Sequence, residues 1–579
     1  MRILGPTPPR LPTGTSDYVQ LRRAGLTYVD KTTFIAQVLG TDTAVQLHPR
    51  PRRFGKTLNL STVRHFLERG APDLTDLFAD TEIWEAAGGA HRAHFQRHPV
   101  IWLTFKDVKY RTWDEAWLVI RSLLQHEFHR LWAAHDLAAH LAASPEAQVV
   151  RAALSDPNAS PAALGNLLPT LSRWCAEATG EPVVILIDEY DAALLTAWQH
   201  GYWDDAVSFF RAFYSAGLKD NAHLLRGVLT GILRVAKEGI FSGLNNVGTY
   251  GLLTAEGATH FGFTVPEVET LAHAHGLGER LPEIAAWYNG YRFGGAVPHT
   301  LYNPWSLIQY LSRPEDGFLP YWKNTSSNEL INELLLRQAA EVGPQVARLL
   351  VGETTSVRVD ENVTLDAIRR SPLALWSLLL SSGYLTPEHT ENGDLGPVCD
   401  LRIPNREVAA VYRTTFLDVL AQAGNPDAVP NLAAALLRGD GPQSARALGH
   451  LLKTAMSFHD FGPRPVEAIY QAFIIGLLLH LEPTHRVRSN RESGFGRADV
   501  LIMPRAHGAG SSAGVVLELK VVETDYDEAP HEALAAAALQ LRQRQYATEV
   551  RAAGATEVHQ YAVVFDGKRC WVESVPEGA

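Results

Sequence analysis

The segment RPRRFGKT (50–57) ends like GxxxxGK[ST], a pattern in which backbone N–H groups wrap a chain of phosphates. Lys56 would reach the β- and γ-phosphates and Thr57 would offer its hydroxyl to Mg2+, while a helix opening here would add its positive end. Arg53, Gly55, Lys56 and Thr57 are therefore the candidate nucleotide-binding residues. Arg50 occupies the first glycine position, so the tight turn must be made differently, which bears on hydrolysis more than on binding. Far along the chain, VVILIDEYD (183–191) reads as an apolar strand ending in Asp188 and Glu189. Phosphoryl transfer needs a carboxylate that orients the metal and a base that positions water, and Asp188 and Glu189 suit these roles. Asp191 is expected to cap the next helix.

A second group lies near the C-terminus. GRADVLI (496–502) places Asp499 at the start of one strand, and VVLELKV (515–521) places Glu518 and Lys520 two apart on the next. Strand alternation puts Glu518 and Lys520 on one face. Two carboxylates, Asp499 and Glu518, are hard oxygen ligands for Mg2+, and a lysine beside them can position or activate water for phosphodiester cleavage. These charges interrupt an otherwise apolar strand, where they require partners or a metal.

The elements that must position these groups follow from apolar spacing. Strands at 44–47, 100–105, 183–187 and 225–229 alternate with segments of helical periodicity, which predicts a parallel sheet covered by helices. The chain from 265 to 311 reads as mostly helical and contains WYNGYRFGG (287–295), a lid beside the sheet. A helix at 372–380 and a β-hairpin around the turn 391–396 suggest a winged-helix-like module within a helical connector. The last unit reads as helix, two strands, helix, two strands.

The YVDKT element (28–32), the RPRRFGKT loop and LTGILRVAKEGIFSGLNN (229–246) together resemble the AAA-ATPase-like family over residues 15 to 330. The resemblance implies that Arg50 is the family's own form of the loop, that Thr230 is a sensor of the γ-phosphate and that Arg234 stabilises charge. The Asp499, Glu518-x-Lys520 constellation resembles the PD-(D/E)XK nuclease superfamily, with Ala498 in place of the usual proline. That likeness implies that Glu467, with Gln471 one turn on, completes the metal site and that Gln540 and Tyr546 line it. The expected fold class is multidomain α/β. An AAA-like P-loop ATPase core (15–255) and helical lid (256–330) lead through a helical and winged-helix-like connector (331–454) to a restriction-endonuclease-like domain (455–579).

Composition bounds the function. The 579 residues are 46% hydrophobic and 20% charged, the usage of a globular chain with several cores rather than a disordered one. Three cysteines without CxxC spacing argue against a disulfide framework or a thiolate metal site. The N-terminus lacks a secretory apolar run and no stretch is long enough to span a bilayer, so a cytoplasmic protein with no membrane partner is expected. The net charge of −11 excludes a chain coated in basic charge, although a local basic groove can still hold nucleic acid. Arginine far outnumbers lysine among the 52 basic residues, which suggests a GC-rich, bacterial genome. The leading expectation is an ATP-binding ATPase, with ATP and Mg2+ as cofactors, coupled to a nuclease acting on nucleic acid, with DNA favoured. The other class is a nucleotide-sensing interaction protein whose C-terminal domain binds without cutting. Homo-oligomerisation stays open.

Overall fold

The structure is a computed structural model that describes residues 2–6, 9–70, 72–234, 246–322, 334, 338–350, 352–361, 365–368, 371–412, 427–455, 467–478, 481, 484–493, 496–505, 512–522, 528–544 and 546–577. It divides into two compact units, residues 1–322 with 357–407, and residues 323–356 with 408–579. Residues of the 331–454 segment thus fall in both.

The first unit is organised by a five-stranded, wholly parallel sheet in the order Val100–Thr104, Val183–Asp188, Leu224–Gly231, Val45–Pro49, Val247–Thr249. The interior strand VVILID is buried at every position, as a strand covered on both faces must be. Its apolar run stops at Asp188, so the first polar side chain emerges at the carboxyl edge of the sheet. Long helices make the crossovers. Trp113–Ala134 begins where the Thr112 hydroxyl accepts from the Glu115 N–H, and it buries Trp117, Ile120, Leu124, Phe128 and Leu131 at three- to four-residue spacing. Leu167–Thr179 stops at Gly180, whose φ of +73° ends the helix without strain.

The segment read as mostly helical from 265 to 311 carries a three-stranded antiparallel sheet of Phe263–Thr264, His299–Tyr302 and Tyr291–Phe293 among the helices Val265–Ala274, Leu281–Tyr288 and Pro304–Ser312. WYNGYRFGG is thus a helix end followed by a strand. The turn falls at Gly290, with φ of +96°, where a Cβ would come within 2.1 Å of the Pro404 carbonyl oxygen. The expected helix and hairpin are present as Pro372–Ser382 and the antiparallel pair Thr386–Gly393 and Gly396–Arg402. Gly383 ends that helix at φ +86°, where a Cβ would meet the Pro51 ring at 2.9 Å, so this piece packs directly on the phosphate loop.

The second unit is built on a five-stranded mixed sheet in the order His485–Ser493, Gly496–Pro504, Ala513–Val521, Glu557–Asp566, Arg569–Val575. Only Ala513–Val521 and Glu557–Asp566 run parallel, joined by a crossover containing the helices Pro530–Arg544 and Ala547–Ala552. Val515, Leu517 and Leu519 pack with Tyr470, Ile474 and Leu477 of the Glu467–Leu478 helix and with the helices Ala428–Leu437 and Gly441–Ala455. Val516 faces the other way, onto Ala537, Leu541 and Tyr546. The strand His485–Ser493 was absent from the helix–strand–strand–helix–strand–strand reading. Its charged sequence suits an edge strand, where polar side chains are tolerated. No helix among the described residues is long and apolar enough to cross a membrane, and all three cysteines are free thiols.

Candidate functional site

In the first unit, strand register brings the chemistry together. Thr104 lies beside Asp188 in the sheet, and the pairing of Ile187 with Leu229 carries Asp188 next to Thr230. The Thr230 hydroxyl donates to Asp188 Oδ1 at 2.7 Å, and the Thr57 hydroxyl donates to Oδ2 at 2.8 Å. Thr104 contributes a longer contact to Oδ2 at 3.4 Å. Burial pushes the Asp188 carboxyl up, and the Thr230 hydrogen bond is the largest influence opposing it. The helix Lys56–Leu67 begins beside this group, preceded by Gly55 at φ +82°. Lys56 is buried, and its ammonium donates to the carbonyl oxygens of Arg50 at 3.1 Å and Pro51 at 3.0 Å. Burial lowers its affinity for the proton, opposed by the charges of Glu189, Asp188 and Asp191. Glu189 adopts φ +48°, a left-handed conformation costly for a residue with a Cβ, and lines the same cavity of about 280 Å3 as Arg53, Gly55, Lys56 and Thr57.

Asp191 sits at the helix N-cap position but does not cap the helix with its side chain. Its Oδ2 accepts instead from the N–H groups of Ile232 and Leu233, both at 2.8 Å, so the carboxylate pins the chain that follows the Thr230 strand. Burial pushes it up to about 6.

In the second unit, the antiparallel pairing of Val500 with Leu517 leads on to Asp499 and Glu518 as neighbours across the strands. Asp499 Oδ2 accepts from the Leu519 N–H at 2.7 Å, and the Asp499 carbonyl accepts from Gln471 Nε2 at 3.0 Å. Glu518 is 2% exposed, and Lys520, two residues on, is partly exposed. Gln540 Nε2 donates to the Tyr546 hydroxyl at 3.2 Å. Burial pushes that phenol up, and the charges of Glu518 and Asp499 push it the same way, against the Gln540 hydrogen bond and the charge of Arg544. Glu467 opens its helix, but its side chain lies outside the described residues. Among the described residues no group of three or more His, Cys, Asp or Glu side chains is poised to hold a metal. The donors that are described fit a hard cation: two carboxylates on adjacent strands here, and a carboxylate with a threonine hydroxyl at the phosphate loop.

Residues 12–241 match the family model described as a predicted AAA-ATPase, and residues 466–575 match a PD-(D/E)XK nuclease superfamily model. The chain joins an AAA-ATPase-like domain to a PD-(D/E)XK superfamily domain. A curated protein of Azotobacter chroococcum mcd 1, described as an uncharacterized protein in the vnfD 5' region, is 27% identical over 410 residues, 70% of this chain and 70% of its own. A solved Walker-type ATPase of Pyrococcus abyssi is similar over 66% of this chain and 94% of its own, with a TM-score of 0.34 and 14% identity.

Within the AAA-ATPase-like domain the arginines of the phosphate loop divide their work. Arg50 is wholly buried, and one of its guanidinium nitrogens donates to the carbonyl oxygens of Pro49 at 2.8 Å and Tyr250 at 2.5 Å. Its guanidinium stacks over Phe261, 5.0 Å from the ring centre, and burial lowers it to about 10 against the charge of Glu361. It therefore braces the loop from below. Sequence reading missed this role, because nothing local to RPRR tells a buried arginine from a solvated one. Arg234 acts electrostatically on the same Glu361. Arg53, at φ +66°, lies over the Trp305 ring at 4.6 Å. Thr104 was also missed, although a polar residue closing the apolar run VIWL was a legible signal. Arg50→Ala is expected to destabilise this domain by about 3 kcal/mol, because it leaves carbonyl acceptors and Glu361 without their buried cation. A drop in the first thermal unfolding midpoint checks this, and an unchanged midpoint counts against the bracing role.

Proposed function

We propose that the chain is an ATP-dependent nuclease of the bacterial cytoplasm, in which ATP bound at the phosphate loop controls Mg2+-dependent cleavage of DNA by the C-terminal domain. The observation that carries the reading is the Thr57–Asp188–Thr230 hydroxyl–carboxylate group at the edge of a parallel sheet, on one chain with the paired Asp499 and Glu518 beside Lys520. Lys56 and the helix N-terminus would neutralise triphosphate charge, and Thr57 with Asp188 would hold the cation. When bound, Mg2+ supplies positive charge at the phosphate oxygens in the first site and at the scissile phosphodiester in the second. Glu189 would take the proton of the attacking water, and Thr230 would sense the terminal phosphate. In the C-terminal domain Asp499 and Glu518 would hold the cation, Lys520 would orient the attacking water, and Gln540 and Tyr546 would line the site.

The test is purified full-length protein on plasmid and linear DNA, with and without ATP and Mg2+. Cleavage that depends on Mg2+ and changes with ATP is expected. Binding of DNA without cleavage under every condition would make the chain a nucleotide-sensing interaction protein instead. Glu189→Gln separates binding from turnover: it preserves shape while removing the base, so ATP affinity should hold and hydrolysis should fall by about 100-fold. Unchanged phosphate release would move the base elsewhere.

A further inference from the structure

The phosphate-loop arginine at position 53 is tied to a buried carboxylate that lies far away in sequence. Arg53 Nη1 donates to the Tyr321 carbonyl oxygen at 2.9 Å, and the Trp322 N–H donates to Glu407 Oε1 at 2.9 Å. That carbonyl and that N–H belong to one peptide group, whose negative end thus faces the guanidinium and whose positive end faces the carboxylate. Glu407 is wholly buried, and burial pushes it up to about 7, opposed first by hydrogen bonding from Ser306 and the Trp322 N–H and then by the charge of Arg53. Burial lowers Arg53, opposed first by Glu407. Glu407 is therefore the main charge that offsets the burial of Arg53, and Arg53 is one of the groups that offset the burial of Glu407, with one peptide dipole lying between them.

Arg53 also lines the cavity shared by Lys56, Thr57 and Glu189, so its guanidinium stands between two anionic claims, the Glu407 carboxylate and any polyphosphate in the loop. The chain leaves the first compact unit after Trp322 and again after Glu407, so the hydrogen bond between these two residues pins two of the crossing points together.

The geometry points to Glu407 as a positioning residue that competes with polyphosphate for Arg53, so that phosphate binding loosens the bond holding Trp322 to Glu407. This rests on the phosphate loop being an ATP site and adds how occupancy would be sensed. A cation cannot neutralise both anions at full strength, so taking the charge from Glu407 while keeping its shape frees Arg53 for phosphate. The same competition makes phosphate binding withdraw Arg53 from the Tyr321–Trp322 peptide, which weakens the polarised N–H bond on the far side.

The experiment measures the affinity of full-length protein for inorganic triphosphate and for ATP by calorimetry at pH 8, in wild type, Glu407→Gln, Arg53→Ala and the double variant. Glu407→Gln should bind triphosphate about fivefold more tightly, Arg53→Ala about tenfold more weakly, and the double variant should match Arg53→Ala alone. Hydrogen exchange of the Trp322 amide should quicken on adding triphosphate in wild type and stay unchanged in Arg53→Ala. Equal or weaker binding by Glu407→Gln, or a Glu407→Gln effect that persists without Arg53, overturns the inference while leaving the ATP site intact, as does exchange at Trp322 that ignores triphosphate. Wild-type protein that binds neither ATP nor triphosphate overturns the ATP site and the inference with it. Matching thermal midpoints of wild type and variants are the folding control, and Glu407→Asp serves in place of Glu407→Gln if that variant fails it. With its carboxylate retained, Glu407→Asp should bind triphosphate as wild type does, and tighter binding counts against competition.

Discussion

Asp499→Asn protein will fold, bind DNA and lose Mg2+-dependent cleavage by about 1000-fold, the scale expected when a group acting directly on the reacting phosphate is removed. Asparagine is the informative replacement. Asp499 Oδ2 accepts from the Leu519 N–H at 2.7 Å, so alanine would leave a partly buried donor unsatisfied and mix a stability effect into the kinetics. Asparagine keeps an acceptor there while removing the charge that a cation needs. Lys520→Ala should show a comparable loss without the folding risk, because Lys520 is partly exposed. The measurement is nicking and linearisation of plasmid in Mg2+ and in Mn2+, using protein freed of contaminating nuclease. Either variant cutting at the wild-type rate would remove that residue from the site, and wild-type protein inert on every DNA form would leave the domain a binding role.

Lys56→Ala should weaken ATP binding by about 100-fold, equivalent to ~2.7 kcal/mol. The ammonium is held by two loop carbonyl oxygens beside the start of a helix, where a triphosphate would need a cation. The loss should be near-complete in calorimetry at ordinary ATP concentrations, whereas equal affinity would show that the loop is not the nucleotide site. The same variant tests coupling. Residue 56 belongs to the first compact unit and Asp499 to the second, so a change in DNA cleavage by Lys56→Ala would have to travel through a conformational equilibrium biased by ATP. Cleavage identical to wild type at saturating ATP would make the two activities independent.

Both candidate sites were legible because their residues break apolar strands. VVILID ending in Asp188, and Glu518 and Lys520 set into a Val- and Leu-rich strand, place polar chemistry where burial penalises it, and such placements stand out in a sequence. What escaped was decided by distant partners. Arg50 looks like a surface arginine until Phe261 and Tyr250 cover it. Glu407 gives no local hint that it answers to Arg53. The short strands at Val247–Thr249 and around Tyr291 form only because neighbouring strands supply hydrogen bonds, and three or four residues carry too little periodicity to declare themselves. Asp191, a plausible cap by type and position, is drawn instead to N–H groups that the sheet brings beside it.

The left-handed backbone at Glu189 has a bearing on how this protein would respond to selection in the laboratory. Glycine there would relax the chain by about 1 kcal/mol, because it alone takes positive φ without a penalty from Cβ. Variants chosen only for survival at high temperature would therefore be drawn toward glycine at the place where this carboxylate lines the cavity. Heat resistance gained in that way would come with a silenced chain, and a library screened for both properties would show glycine at 189 enriched by heat and depleted by function.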